Sequence, residues 1–320
     1  MKNIFSHTVY VSLERLTRKE KDVSFLSSHL LGKMEIVVGN TAGFCYGVKR
    51  AVDGAIEELN NNKNIDCLGE IVHNKQVIEK LKNRGLKFIE KIEYSAGTTI
   101  IRAHGIPKEI YEFANLNKIK IKDYTCPNVL KIHQIVEEFS KNGYYIVLCG
   151  SGNHPENIGT ISYCGKYYSI IETEDDVRKA INNLQKSKMK KVLLIAQTTY
   201  SLQRFDNIQK EIKKNLSENI EVVIKNTICK ATELRQKETE QLSKEVDYMI
   251  IIGGKNSSNT KKLYEISKQN CENSICIEIA DELDVEAIKR YKKIGIMAGA
   301  STPQDSINSV VEKVNCCNTY

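Results

Sequence analysis

Three cysteines stand in loops rather than in strands: Cys45 in "NTAGFCYGVKRAV", Cys126 in "DYTCPNVLKIH" and Cys229 in "KNTICKATELRQ". Each is followed 28 residues later by a polar residue in a second loop: His73 in "EIVHNKQV", His154 in "GSGNHPENIG" and Ser257 in "GGKNSSNTKK". A thiolate is a soft metal ligand and a nucleophile. Three thiolates at one repeated spacing, with no fourth cysteine at an equivalent position, describe a site that keeps one coordination place open. Zinc with three protein ligands and an open place is catalytic, although histidine or carboxylate is then usually among its ligands. A cubane iron–sulfur cluster takes four cysteines when fully ligated, so three leave one iron available to a substrate. The spacing favours the cluster, with zinc and a purely structural role for the thiols as the alternatives. Helix N-termini next to the cysteines are expected to lower the thiol pKa values and favour the thiolate.

The other loops supply histidines, hydroxyls, amides and one acid: His73, Asn74, His104, His154, Glu156, Thr198, Thr199, Ser257, Ser258, Asn259 and Ser301. Imidazoles, hydroxyls and backbone N–H groups at helix N-termini make an anion pocket, and this inventory fits a diphosphate better than a carboxylate. Glu156 is the one acid among these residues, which makes it the natural proton donor, a helix-capping role being the alternative. "GGKNSS" lacks the glycine spacing and the hydroxyl directly after Lys255 that a Walker A loop needs, and no GxGxxG occurs, which argues against a nucleoside triphosphatase. His133 lies seven residues along the helical pattern from Cys126 and reads as structural.

The elements that must position these residues alternate. Apolar runs such as "EIVVG", "YYIVLCG", "KKVLLIA", "YMIIIGG" and "KIGIMAG" are each followed by small or polar residues and then by an amphipathic helical pattern, the signature of parallel α/β sheets. A third kind of loop follows a strand in "IIRAHGIPKE", "LLIAQTTYSL" and "GIMAGASTPQD". The chain thus holds three copies of one unit, beginning 81 and 103 residues apart. The expected fold is three similar α/β lobes with parallel sheets about a pseudo-three-fold axis, their loops converging beyond the carboxyl ends of the strands. All four prolines, Pro107, Pro127, Pro155 and Pro303, fall within these loops, where a fixed φ suits a rigid start to a helix. The expected divisions are an N-terminal extension over 1–33 outside the fold, then lobes over 34–125, 126–227 and 228–320, the last with a short tail.

The bulk numbers agree with an ordinary globular chain: 320 residues, 41% hydrophobic and 27% charged, with a net charge of +7. That charge is spread over mixed-sign helices and biases the surface toward anionic ligands rather than nucleic acid. No apolar run has the length of a membrane span and no export signal is evident, so a cytoplasmic location with reduced thiols is expected. Cys67, Cys149 and Cys276 lie in apolar strands and read as core, whereas Cys316 and Cys317 read as exposed thiols.

The motifs "GFCYGVKRA", "EIVHN", "AHG", "TCP", "GNHPE", "QTT", "KNSSN" and "AGAST" occur in the order found in the 4-hydroxy-3-methylbut-2-enyl diphosphate reductases, the LytB family, and the chain resembles that family from about Met34 to Val314. The resemblance implies a central iron–sulfur site: one [4Fe–4S] cluster per chain on Cys45, Cys126 and Cys229. It also implies that His73, His104, His154, Thr232, Ser257, Ser258, Asn259 and Ser301 hold the substrate diphosphate. Glu156 would deliver a proton, with Thr198 orienting it and the substrate hydroxyl. The implied activity is reductive dehydroxylation to isopentenyl and dimethylallyl diphosphate, the last step of the non-mevalonate isoprenoid route, with electrons from a ferredoxin or flavodoxin. Two other readings compete: a zinc-dependent hydrolase or lyase on a phosphorylated metabolite, and a redox- or diphosphate-sensing binding protein. Relative to the family pattern the 33-residue extension is extra, the C-terminal tail is short, and Lys230 replaces an expected apolar or aromatic residue.

Overall fold

The computed structural model describes residues 34–62 and 64–316, so the extension over 1–33 and Cys317 lie outside the described residues. The chain opens with β1 (Glu35–Val38) and α1 (Tyr46–Asn61). A first unit follows: β2 (Ile65–Leu68), α2 (Lys75–Asn83), β3 (Lys87–Ile89), β4 (Thr98–Ile101), α3 (Lys108–Leu116) and β5 (Lys120–Asp123). Helix α4 (Pro127–Lys141) leads to the second: β6 (Tyr145–Cys149), α5 (Pro155–Ile161), β7 (Tyr168–Ile171), α6 (Asp176–Ser187), β8 (Lys191–Ala196), α7 (Leu202–Asn215) and β9 (Glu221–Ile224). Helix α8 (Lys230–Glu245) leads to the third: β10 (Tyr248–Ile252), α9 (Ser258–Asn270), β11 (Ser274–Ile277), α10 (Val285–Ile288), β12 (Lys293–Ala298) and α11 (Gln304–Cys316).

These strands form three four-stranded sheets in the orders β3-β2-β4-β5, β7-β6-β8-β9 and β11-β10-β12-β1, with every pairing parallel. Helices cover both faces, which is why the inner strands read as unbroken apolar runs; every residue of β6 and β10 is buried. Alternation of side chains divides each run between two cores. Tyr145, Val147 and Cys149 join one cluster while Ile146 and Leu148 join the cluster on the opposite face. Strand β10 does the same, with Tyr248, Ile250 and Ile252 on one side and Met249 and Ile251 on the other.

The expected first lobe over 34–125 is corrected at its start. Strand β1 belongs to the third sheet, pairing Glu35 with Lys293 through Val38 with Ile296. Its edge place corresponds to those of β5 and β9, and Met34 and Ile36 pack into the third unit's core. Each cysteine helix therefore runs from the edge strand of one sheet to a central strand of the next: β1 to α1 to β2, β5 to α4 to β6, β9 to α8 to β10. Cys67 and Cys149 are fully buried, as expected of core thiols, and burial pushes the Cys67 pKa up to about 12; Cys276 is half-buried. Among the described residues, no helix is long and apolar enough to cross a membrane.

Candidate active site

Cys45, Cys126 and Cys229 are the N-cap residues of α1, α4 and α8, each in an extended conformation. One backbone bond recurs at all three. The Cys45 N–H donates to the Ala300 carbonyl at 3.1 Å, Cys126 to Ala103 at 3.0 Å, and Cys229 to Thr198 at 3.0 Å. Each acceptor lies in the loop after a central strand, immediately before Ser301, immediately before His104, or at Thr198 itself. The cysteines thus pin the three loops that carry other candidate residues. Gly43, with φ +97°, turns the chain from β1 into the Cys45 loop, and Gly105, with φ +74°, turns it away after His104.

One cavity receives all of the expected site residues: Cys45, Cys126, Cys229, His73, His104, His154, Glu156, Thr198, Thr232, Ser257, Ser258, Asn259 and Ser301 all line it. It holds about 740 Å³ of atom-free space, part of it open to solvent. Asn74 does not line it; its side chain caps α2 by accepting the Val77 N–H at 3.1 Å. Thr199 lines the cavity, and its hydroxyl reaches Ser258 Oγ at 3.3 Å. His133 lies outside it, buried and stacked on Tyr163 at 4.4 Å between ring centroids.

The acid end is built around Glu156 in the first turn of α5, 2% exposed. Its carboxylate accepts two bonds from one residue, the Thr198 backbone N–H and the Thr198 hydroxyl, both at 2.6 Å. Burial penalises the charged form and pushes the Glu156 pKa up to about 7, against the opposing pull of the Thr198 bonds. The carboxyl is tied to Thr198 rather than spent capping α5, a role taken by His154, whose Nδ1 accepts the Glu156 N–H at 3.2 Å.

Three imidazoles stand together in the same cavity. His73 and His104 stack with centroids 4.6 Å apart, and His154 meets them edge-on at 5.6 and 5.4 Å. Burial depresses all three pKa values, that of His154 to about 4, and Arg102 adds to the depression. The rings are therefore neutral at pH 7. With Nδ1 of His154 engaged as an acceptor, its Nε2–H is the donor left for a ligand. The three imidazole nitrogens come within 4.8 Å of one another, near enough to share a metal ion. The adjacent Arg102 guanidinium opposes a dication there and favours an anion, against the pull of the Glu70 carboxylate, 3.6 Å from His73 Nδ1. Asn259 is 3% exposed, yet neither its amide nitrogen nor its amide oxygen has a partner, which marks it as a group awaiting a ligand.

Three thiolates are the donor set of a cluster that keeps one iron open, whereas an open three-ligand zinc site usually has histidine or carboxylate among its ligands. Gly47 leaves the room needed at Cys126: a Cβ there would lie 2.7 Å from the Cys126 Sγ. Arg235, 3% exposed, donates to the Thr41 and Gly43 carbonyls at 2.8 Å, keeps Nη1 unpartnered, and is coupled electrostatically to Cys45 and Cys229. A buried cation at that place would compensate the negative charge of a thiolate-ligated cluster. The expected lowering of the thiol pKa by helix N-termini does not hold for Cys126, whose pKa rises because burial outweighs the N–H bonds of its own helix.

Arg102, Arg235 and Asn128 are the residues that sequence reasoning passed over. Arg102 stood beside the "AHG" motif, just after β4, and Arg235 within two turns of Cys229, but a charged residue in a loop or a helical pattern reads as solvated until its surroundings are known.

The fold and the site together define an α/β protein in which three cysteines at helix N-termini, a group of three histidines and a buried acid line one cavity. The family model described as "LytB protein" matches residues 36–315. The chain is 43% identical over 291 residues to the 4-hydroxy-3-methylbut-2-enyl diphosphate reductase of Caldanaerobacter subterraneus subsp. tengcongensis, covering 88% of this chain and 96% of that one. To the enzyme of the same name from Aquifex aeolicus it is 42% identical over 286 residues, covering 88% and 96%. Among solved structures, one described as the terminal enzyme of the non-mevalonate pathway matches with TM-score 0.64 at 42% identity, covering 88% of this chain and 98% of that one. The Plasmodium falciparum reductase matches with TM-score 0.79 at 32% identity, covering 88% and 87%. The chain belongs to the LytB family.

Proposed function

We propose that this chain is a 4-hydroxy-3-methylbut-2-enyl diphosphate reductase, with one [4Fe–4S] cluster on Cys45, Cys126 and Cys229. The observation that carries the reading is the meeting, in one cavity, of three thiols at helix N-termini with a buried carboxyl whose pKa is about 7. The reaction replaces an allylic C–OH by C–H, consuming two electrons and two protons and releasing water. When bound, the cluster supplies the electrons singly and a Lewis-acidic iron with an open coordination place.

The chain's own residues supply the rest. His73, His104 and His154 with Thr232, Ser257, Ser258, Asn259 and Ser301 grip the diphosphate, which fixes the allylic carbon relative to the sulfurs. The neutral imidazoles donate hydrogen bonds without adding charge, while Arg102 behind them supplies the positive field. Glu156 delivers a proton to the departing oxygen, and Thr198 holds both of its carboxylate oxygens so that the acidic proton stays on the cavity side. Electrons come from a separate small carrier such as a ferredoxin or flavodoxin, in the cytoplasm.

Iron and acid-labile sulfide should approach four of each per chain after anaerobic preparation, and the protein should be brown and consume the substrate with a one-electron reductant. A colourless, air-stable protein with one zinc would instead identify a hydrolase or lyase. Tight diphosphate binding without turnover under reducing conditions would identify a sensor.

A further inference from the structure

The three helices that begin at cysteines carry different residues two positions on: Gly47, Asn128 and Ala231. Two of these positions face the next cysteine around the ring. Gly47 abuts the sulfur of Cys126, close enough that no side chain fits. Asn128 directs its amide Nδ2–H at the sulfur of Cys229, 3.1 Å away, from a helix of the neighbouring unit. Ala231, at the third position, has no side-chain donor. The ring of three thiols is therefore electrostatically unequal, with a side-chain hydrogen bond built onto one sulfur across a boundary between units.

We propose that Asn128 tunes the reduction potential of the cluster by donating this hydrogen bond to the Cys229 sulfur. The inference rests on the cluster reading above. Adding an electron makes the cluster and its thiolates more negative, so a donor on a ligand sulfur stabilises the reduced state more than the oxidised one and raises the midpoint. It also draws charge from the Fe–S bond at Cys229. Asn128 touches no reacting atom in this account; it is a tuning residue.

The test uses the full chain, reconstituted with iron and sulfide without oxygen, with iron and sulfide content measured before any titration. Reductive titration followed by visible absorption and EPR then compares the wild type with N128L, which removes the donor, N128D, which replaces it with an anionic acceptor, and N128Q, which keeps an amide. The midpoints are expected to fall in the order wild type and N128Q, then N128L, then N128D. The Fe–S(Cys) stretch in the resonance Raman spectrum of N128L should rise. Fully loaded N128L and N128D with wild-type midpoints overturn the assignment, and if N128L assembles no cluster, N128D decides alone. A wild-type protein that binds no iron overturns the cluster reading itself, and this inference with it, so the two failures are distinguishable.

Discussion

Replacing Thr198 by valine keeps the shape and the backbone N–H but removes the hydroxyl that donates to Glu156 at 2.6 Å. A hydrogen bond to an ionised partner contributes ~1.5–3 kcal/mol. At ~1.4 kcal/mol per pH unit, its loss should raise the Glu156 pKa by ~1–2 units, starting from about 7. The sign follows from the role. The protonated carboxyl is the active form, so kcat/KM falls as pH rises through its pKa, and in T198V this alkaline limb should move to higher pH. The maximum itself should drop, because the lost hydroxyl also orients the acid. The assay is the pH dependence of kcat/KM with a chemical reductant in excess, since that ratio reports the free enzyme. Glu156→Gln serves as the reference: it should keep its cluster, lose ~10²–10⁴-fold in rate, and lose the limb altogether. An alkaline limb in T198V that stays in place, or moves toward acid, would refute the assignment of Glu156 as the proton donor.

Three further outcomes are expected. Gly47→Ala places a methyl group 2.7 Å from the Cys126 sulfur, so the variant should fold with a normal circular dichroism spectrum yet lose most of its iron after anaerobic reconstitution. Asn259→Leu replaces a buried amide that has no partner, so the substrate-free variant should melt no lower than the wild type while KM rises ~10–100-fold through lost bonds to the anion. The histidines set an acid limit to stability. Folded His154 takes a proton only near pH 4, whereas the unfolded chain does so from 6.5, so the unfolded state binds more protons between these values and stability is lost as pH falls through that window. Glu156 works in the opposite sense between 4.5 and about 7, its folded form holding the extra proton. Denaturant melts of the wild type and H154Q across pH 4–7 should show the acid loss shrink in the variant.

Much of this was legible in the sequence because it is periodic. The three Cys-loop spacings and the apolar runs identify three parallel α/β units, since alternation and loop chemistry are local properties of the chain. The partner of β1 was not legible: "EIVVG" reads as a strand wherever it pairs, and its place beside β12 is decided by packing some 260 residues away. The polar loop residues of the cavity were legible because strand-to-helix loops of parallel sheets gather at one end of the strands, whereas Asn128 and Arg235, on helices, were not. Asn74 was indistinguishable from the loop residues in sequence, because a helix cap and a ligand contact use the same side chains. The cations were hidden for a related reason: the half-buried Arg102 and the buried Arg235 are recognised as part of the site only by their position behind the ligand groups.

The strand exchange also explains why the site is single. Had β1 paired within the first unit, Cys45 would follow a strand of its own sheet, and its N–H could not reach the Ala300 carbonyl in the loop after β12. By occupying the edge of the third sheet, β1 gives that unit the same four-strand order as the other two and closes a cycle in which every cysteine helix leaves one unit and enters the next. The buried Arg235 reinforces the closure, since its two bonds to the Thr41 and Gly43 carbonyls join α8 to the segment between β1 and Cys45. The geometry of three sulfurs is thus set by the relative placement of all three units rather than by any one of them. Loss of a single closing contact should loosen the whole centre, and a bound cluster, tied to all three units at once, should stabilise their assembly by mass action.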